Sequence, residues 1–174
     1  SDYKRTRPIG EGLFDALGTS YVANAAALLH CTYPELNLRV TNMGSSGSQI
    51  RYLKDHWQEE VLDLKPDWVS VLIGINDVWR QFDSPSMPEQ HVPLDEYVKT
   101  YEELIQKTLP TVKGMILMTP YFMEPNRNDA MRARMDQYGQ AVRALAEKYD
   151  LIFVDLQEAW DRLFAYMHPC NIAW

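Results

Sequence analysis

Two spacings of apolar residues alternate along the chain. Leu53, Trp57, Val61 and Leu64 recur every three or four residues, as do Leu94, Val98, Tyr101 and Ile105, and again Met131, Met135, Tyr138, Val142 and Leu145. Such spacing lays a stripe along one face of a helix and predicts helices over 50–64, around 94–105 and around 131–145. The alanine- and leucine-rich stretch 18–30 and the segment 157–167 predict two more. Short apolar runs lie between them. Asn37 to Asn42, with Leu38 and Val40, reads as a short strand ending at Gly44. Trp68 to Ile73 is nearly continuous in apolar residues, as expected of a strand covered on both faces. Gly114 to Met118, stopped by Pro120, and Leu151 to Val154 complete the strands. Phe82 to Pro93 holds Pro85, Pro88 and Pro93 and reads as a loop. Asn76 or Asp77 is placed to cap a short helix after the second strand.

Strands alternating with helices imply βαβ units and a parallel sheet, hence an α/β, three-layer α/β/α sandwich of flavodoxin-like type. No repeat, low-complexity segment or linker divides the chain, so 1–174 reads as a single domain. Sites in such folds form at the carboxyl ends of the strands. That rule selects 42–48, 74–79 and 119–122.

Composition narrows the function classes. The 174 residues are 46% hydrophobic and 24% charged, ordinary for a globular protein. A net charge of -7 and a pI of about 5.0 argue against nucleic acid, whose phosphates demand clustered Lys and Arg, and against an anionic membrane surface. The most apolar stretch, Val22 to Leu29, is far shorter than a membrane span and carries Asn24. No apolar core follows the polar opening residues, so a cytoplasmic location is the expectation. Cys31 and Cys170 show no zinc spacing and are expected to be free and buried rather than paired. No metal and no organic cofactor is implied.

Two of the selected segments carry chemistry. Gly74-Ile75-Asn76-Asp77 directly follows an apolar strand. A glycine there allows a sharp turn, and an asparagine there can aim an amide N–H at a developing oxyanion. Capping alone would also account for Asn76 and Asp77. Asn42-Met43-Gly44-Ser45-Ser46-Gly47 likewise follows a strand and precedes a helix. Gly47 can present a backbone N–H to the same charge, although a plain strand-to-helix turn also favours Gly and Ser. Ser45, Ser46 and Ser48 do not form a G-x-S-x-G nucleophile elbow, because Ser48 stands where the second glycine belongs.

In combination, N-x-G-x-x-G after one strand and G-x-N-D after the next resemble blocks II and III of the SGNH hydrolases, the GDSL-like lipase and esterase family. Asp67-Trp68-Val69-Ser70-Val71, Asn76-Asp77-Val78-Trp79, Met118-Thr119-Pro120-Tyr121 and Ile152-Phe153-Val154-Asp155 are similar to its bacterial esterase branch. The resemblance implies hydrolysis of small carboxylic esters through an acyl-serine. Gly47 would donate its backbone N–H and Asn76 its side-chain amide to the oxyanion. Ser46, Trp79 and Tyr121 are candidates for the substrate pocket wall. Asp77 is expected to support the turn rather than the chemistry.

Family members draw their serine from a G-D-S motif and their base from a carboxyl-terminal Asp-x-x-His, with the aspartate orienting the histidine. Neither motif occurs in residues 1–174. Asp2 fits the end of a G-D-S-x-x-D stretch, which would place the serine before Ser1 and makes Ser1 itself a poor fit. His168-Pro169 mimics the family's His-Pro, but Ala165 stands where the aspartate belongs. His30, His56 and His91 show no partner pattern. The chain is therefore expected to lack the family's first strand and carboxyl-terminal end. That strand would lie between those at 37–42 and 68–73, and its loss would leave edges unpaired at roughly 1–3 kcal/mol per buried group. Residues preceding Ser1 are the expected source, ahead of complementation by another chain or closure of the gap. Two rival functions stay open: a catalytically inactive SGNH-like fragment or binding module, and a flavodoxin-like anion binder using the 44–48 loop, although no Gly-Lys-Ser/Thr follows it. The partner expected is a small-molecule ester, with homo-oligomerisation open.

Overall fold

The structure, a computed structural model, describes residues 10, 11 and 17–171. The expectations attached to Ser1 and Asp2 lie outside the described residues. The chain forms two compact units, residues 1–47 and residues 48–174.

In the first unit, strand β1 (Gly10–Glu11) pairs antiparallel with β2 (Thr41–Asn42), Gly10 opposite Asn42. Helix α1 (Tyr21–Thr32) lies between them in sequence. The strand expected over 37–42 is thus confined to its last two residues, and its described pairing is antiparallel rather than parallel. The cause is local: Pro34–Leu36 form a 3-10 turn that ends with Asn37 in the left-handed region at φ 46, so extended pairing starts late.

The second unit is built on a parallel sheet in the order β3 (Trp68–Leu72), β4 (Gly114–Met118), β5 (Ile152–Val154). In register, Val69 faces Met115 and Val71 faces Leu117, which faces Phe153. These side chains share one face of the pleat and pack with Tyr97, Tyr101, Leu104 and Ile105 of α4 (Leu94–Thr108) and with Met135, Tyr138, Val142 and Leu145 of α5 (Ala130–Lys148). The helical stripes read from the sequence are therefore the buried faces. Helix α2 (Ile50–Glu60) adds Ile50 and Trp57, whose indole N–H donates to Thr108 Oγ1 at 2.8 Å. Helix α3 (Ile75–Asp83) adds Val78. Helix α6 (Leu156–Phe164) follows β5 directly.

Coverage of β3 on both faces is not what the structure shows. Period-two alternation sends Trp68 and Ser70 to the opposite side, where Trp68 is 51% exposed. The Trp68 ring lies over Gly114, where a Cβ would come within 2.4 Å of it. Several boundaries also move. The helix expected over 50–64 breaks at Val61, and a 3-10 turn at Leu62–Leu64 ends in left-handed Lys65. The 82–93 loop begins after Asp83 and holds a 3-10 turn at Pro88–Gln90. The last helix starts earlier, because the Asp155 side chain accepts from the Glu158 N–H. Cys31 and Cys170 are free as expected but exposed, not buried.

Candidate active site

The carboxyl end of β3 is shaped by Gly74. Its φ of 125 lies in the region reserved for glycine, and a Cβ there would sit 2.9 Å from Pro120 Cγ and 3.0 Å from Tyr97 Oη. Tyr97 Oη donates to the Ile73 carbonyl at 2.9 Å, pinning the strand end from α4. Gly74 itself occupies the cap position of α3, and Val78 N–H donates to its carbonyl at 3.1 Å. Asn76 and Asp77 are therefore not caps. They lie in the first turn of α3, and both reach across to the start of α2.

Three consecutive residues there are held. Asn76 Nδ2 donates to the Ser48 carbonyl at 3.0 Å. Gln49 Nε2 donates to the Gln90 carbonyl at 2.7 Å and, more loosely, to the Asn76 carbonyl at 3.4 Å. Ile50 N–H donates to Asp77 Oδ1 at 2.8 Å. An amide nitrogen carries two hydrogens. One of Asn76's is committed to Ser48, which fixes the direction of the other.

Asp77 is fully buried, and its second oxygen has no hydrogen-bond partner among the described residues. Burial pushes its carboxyl up to about 7, against the Ile50 and Asp77 backbone N–H groups and the Arg51 charge, which pull the other way, while Glu96 adds to the rise. Arg51 grips Glu96 with Nε at 2.5 Å and Nη2 at 2.7 Å, and also donates to the carbonyls of Glu89 and His91. The 84–93 loop is thus tied to α2.

In the first unit, buried Asn42 donates to the Leu17 carbonyl at 3.0 Å and accepts the Gly44 N–H at 3.0 Å, folding the turn that Gly47 ends at φ 77. A Cβ on Gly47 would meet nothing within 4 Å, so its conformation and not its space calls for glycine. Ser46 is exposed in that turn. Trp79 is 38% exposed on α3. Tyr121, after β4, lies against Trp160 with ring centroids 5.5 Å apart. Thr119 Oγ1 accepts the Leu156 and Gln157 N–H groups, and Gln157 pairs both ways with the Phe122 backbone. His168 is exposed against Cys170 Sγ at 2.9 Å, and the remaining histidines contact backbone carbonyls: His30 that of Leu38, His56 that of Tyr52, His91 that of Ser84. Among the described residues, no group of three or more His, Cys, Asp or Glu is placed to hold a metal ion. None of their helices is long and apolar enough to cross a membrane.

Sequence reasoning passed over Gln49, Tyr97 and the clamping role of Asp77. The signal for Asp77 was its place inside an N-D pair, one residue past the oxyanion candidate. Its burial needed coordinates.

Strand β3 ends in a glycine turn with an asparagine amide oriented by the Ser48 carbonyl, and the chain belongs to the GDSL-like lipase/acylhydrolase family, whose model matches residues 9–169. It is an esterase at the level this family defines. An acetylxylan esterase of Geobacillus stearothermophilus is 52% identical over 174 residues, covering 100% of this chain and 80% of its own length. The crystal structure of Axe2, an acetylxylan esterase from the same organism, matches with a TM-score of 0.97 and 53% identity over 99% of this chain and 79% of that one. An α/β hydrolase enzyme from the metagenome of Lake Arreo, Spain, matches with a TM-score of 0.92 and 55% identity over 95% of this chain and 76% of that one.

Proposed function

We propose that this protein removes acetyl groups from acetylated xylo-saccharides through an acyl-serine intermediate. The observation that carries the ester chemistry is the Asn76 amide, one hydrogen held by the Ser48 carbonyl and the other left as a preset donor at the strand end, while likeness to an acetylxylan esterase supports the acetylated saccharide. In the reaction a serine oxygen attacks the acetyl carbonyl while histidine takes the serine proton. The carbonyl oxygen becomes an oxyanion that accepts from Asn76 Nδ2 and, by the family resemblance, from the Gly47 N–H. Collapse expels the sugar hydroxyl, protonated by the histidine. Water, deprotonated by the same histidine, then releases acetate and restores the serine. The serine and its Asp–His pair come from the family's G-D-S and Asp-x-x-His motifs, which no stretch of residues 1–174 matches. Ser46, Trp79 and Tyr121 are proposed to face the saccharide.

The test is two measurements on the full-length protein. A fluorophosphonate should add once per chain, and acetate should be released from acetylated xylo-oligosaccharides. Labelling without acetate release would keep the serine hydrolase and reject the substrate. Absence of both would reject the reading.

A further inference from the structure

Asp77 is a buried carboxylate that the ester chemistry leaves without a role. It stands one residue from the proposed oxyanion donor, one oxygen is engaged by a backbone N–H, and the other has no partner among the described residues. A buried acidic group with half its capacity unsatisfied is costly, so its presence calls for an explanation.

The explanation lies in what its engaged oxygen holds. Ile50 is the first residue of α2, and its N–H has no partner within the helix. By accepting it at 2.8 Å, Asp77 fixes the backbone that runs back through Gln49 to Ser48. The Ser48 carbonyl is in turn the acceptor that orients Asn76 Nδ2. The loop closes on itself: two adjacent residues of α3 grip two nearby residues at the head of α2. If the Ile50 end were free, the Ser48 carbonyl could turn and the Asn76 amide with it.

We infer that Asp77 is a positioning residue for ester hydrolysis, holding the Ser48–Ile50 backbone so that the Ser48 carbonyl sets the aim of the Asn76 amide. This rests on Asn76 serving as oxyanion donor. The groups around Asp77 fit the role. Arg51 of α2, which attracts its charge, is itself neutralised by Glu96 of α4, and Tyr97 and Tyr138 approach from α4 and α5. Burial raises the carboxyl to about 7, yet a protonated acid still accepts through its carbonyl oxygen, so the grip on Ile50 does not depend on charge.

That independence separates positioning from electrostatics. In the full-length enzyme acting on p-nitrophenyl acetate at neutral pH, Asp77→Asn keeps the acceptor and is expected to retain kcat within about threefold. Asp77→Ala removes it and should lower kcat by roughly 10–100-fold, the scale of a misplaced catalytic group, with KM within about twofold. Fluorophosphonate labelling should slow in step with kcat, because its tetrahedral adduct uses the same donors. In an Asn76→Ala background, Asp77→Ala should have almost no further effect, since coupled residues are non-additive. If Asp77→Ala does not fold, Ile50→Pro removes the N–H instead. Proline suits the first turn of α2, and Gln49 before it is already extended at φ -104 and ψ 170. Wild-type kcat in Asp77→Ala or Ile50→Pro, equal loss in Asp77→Asn and Asp77→Ala, or full additivity with Asn76→Ala would each overturn the inference while the esterase reading stands. No hydrolysis and no labelling by the wild-type enzyme would instead remove the reading on which it rests.

Discussion

Asp77 should make the protein's stability respond to pH in a direction opposite to that of most surface carboxylates, and Asp77→Asn should remove that response. In the folded chain burial raises the Asp77 carboxyl from its ordinary 3.8 to about 7. Between those values the native state holds a proton that the unfolded state has released. Stability therefore falls as pH rises, wherever the native state binds more protons. The gap is about three pH units at about 1.4 kcal/mol each, so the cost carried by Asp77 grows from near zero at pH 4 to at most roughly 4 kcal/mol above pH 7. Asparagine keeps the acceptor for Ile50 N–H and does not titrate. Its second group is unpartnered, like Asp77 Oδ2, which adds an offset of about 1–3 kcal/mol that does not change with pH. Arg51 and Glu96 act on the Asp77 charge, and their effects are already contained in the raised value. Urea unfolding followed by tryptophan fluorescence at pH 4.5, 6 and 8 measures the difference between the two proteins. The stability of Asp77→Asn relative to wild type should climb by several kcal/mol from the lowest to the highest pH. A difference that stays flat within about 1 kcal/mol would refute the assignment of a raised, burial-driven Asp77.

Other expectations concern the same strand ends. Asn76→Ala should lower kcat by about 10²–10³ with KM little changed, measured on a soluble acetyl ester, because the lost donor acts mainly on the oxyanion. Gly74→Ala should cost at least about 1–3 kcal/mol in urea unfolding, since φ 125 is closed to alanine and Pro120 and Tyr97 leave no room for a Cβ. Arg132 is 1% exposed and holds Asp136, Asp161 and the Glu124 carbonyl, so Arg132→Met should cost about 2–4 kcal/mol. Asp161 is partly buried, which works against ionisation, but bonds from Arg132 and Gln157 outweigh this and hold its carboxyl below 3.8. Its share of stability is thus present near neutral pH and lost under acid, and acid titration of Arg132→Met should show that loss reduced.

Much of the second unit was legible because its signals are periodic. The stripes on α4 and α5 need only a count of three and four, and β4 needs only an apolar run before Pro120. The oxyanion candidates came from two motifs in register, since capping or a plain strand-to-helix turn could account for either one alone. Failures arose where local backbone conformation, strand alternation or a distant partner decides. Asn37 in the left-handed region shortened β2, which no periodicity records. Trp68 to Ile73 is apolar but for Ser70, yet alternation exposes Trp68. Asp77 reads as a helix cap until Ile50, far away in sequence, is seen to donate to it.

The cluster formed by Tyr97, Tyr101 and Tyr138 has an optical consequence. Burial raises all three phenols, and Tyr101 Oη has no hydrogen-bond partner among the described residues. The protein has ten tyrosines. A solvated phenol ionises at about pH 10 and raises the absorbance near the ultraviolet edge. These three release their protons only when the contact between α4 and α5 opens. The phenolate band should therefore rise in two stages, and the second reports the separation of those helices without any added label.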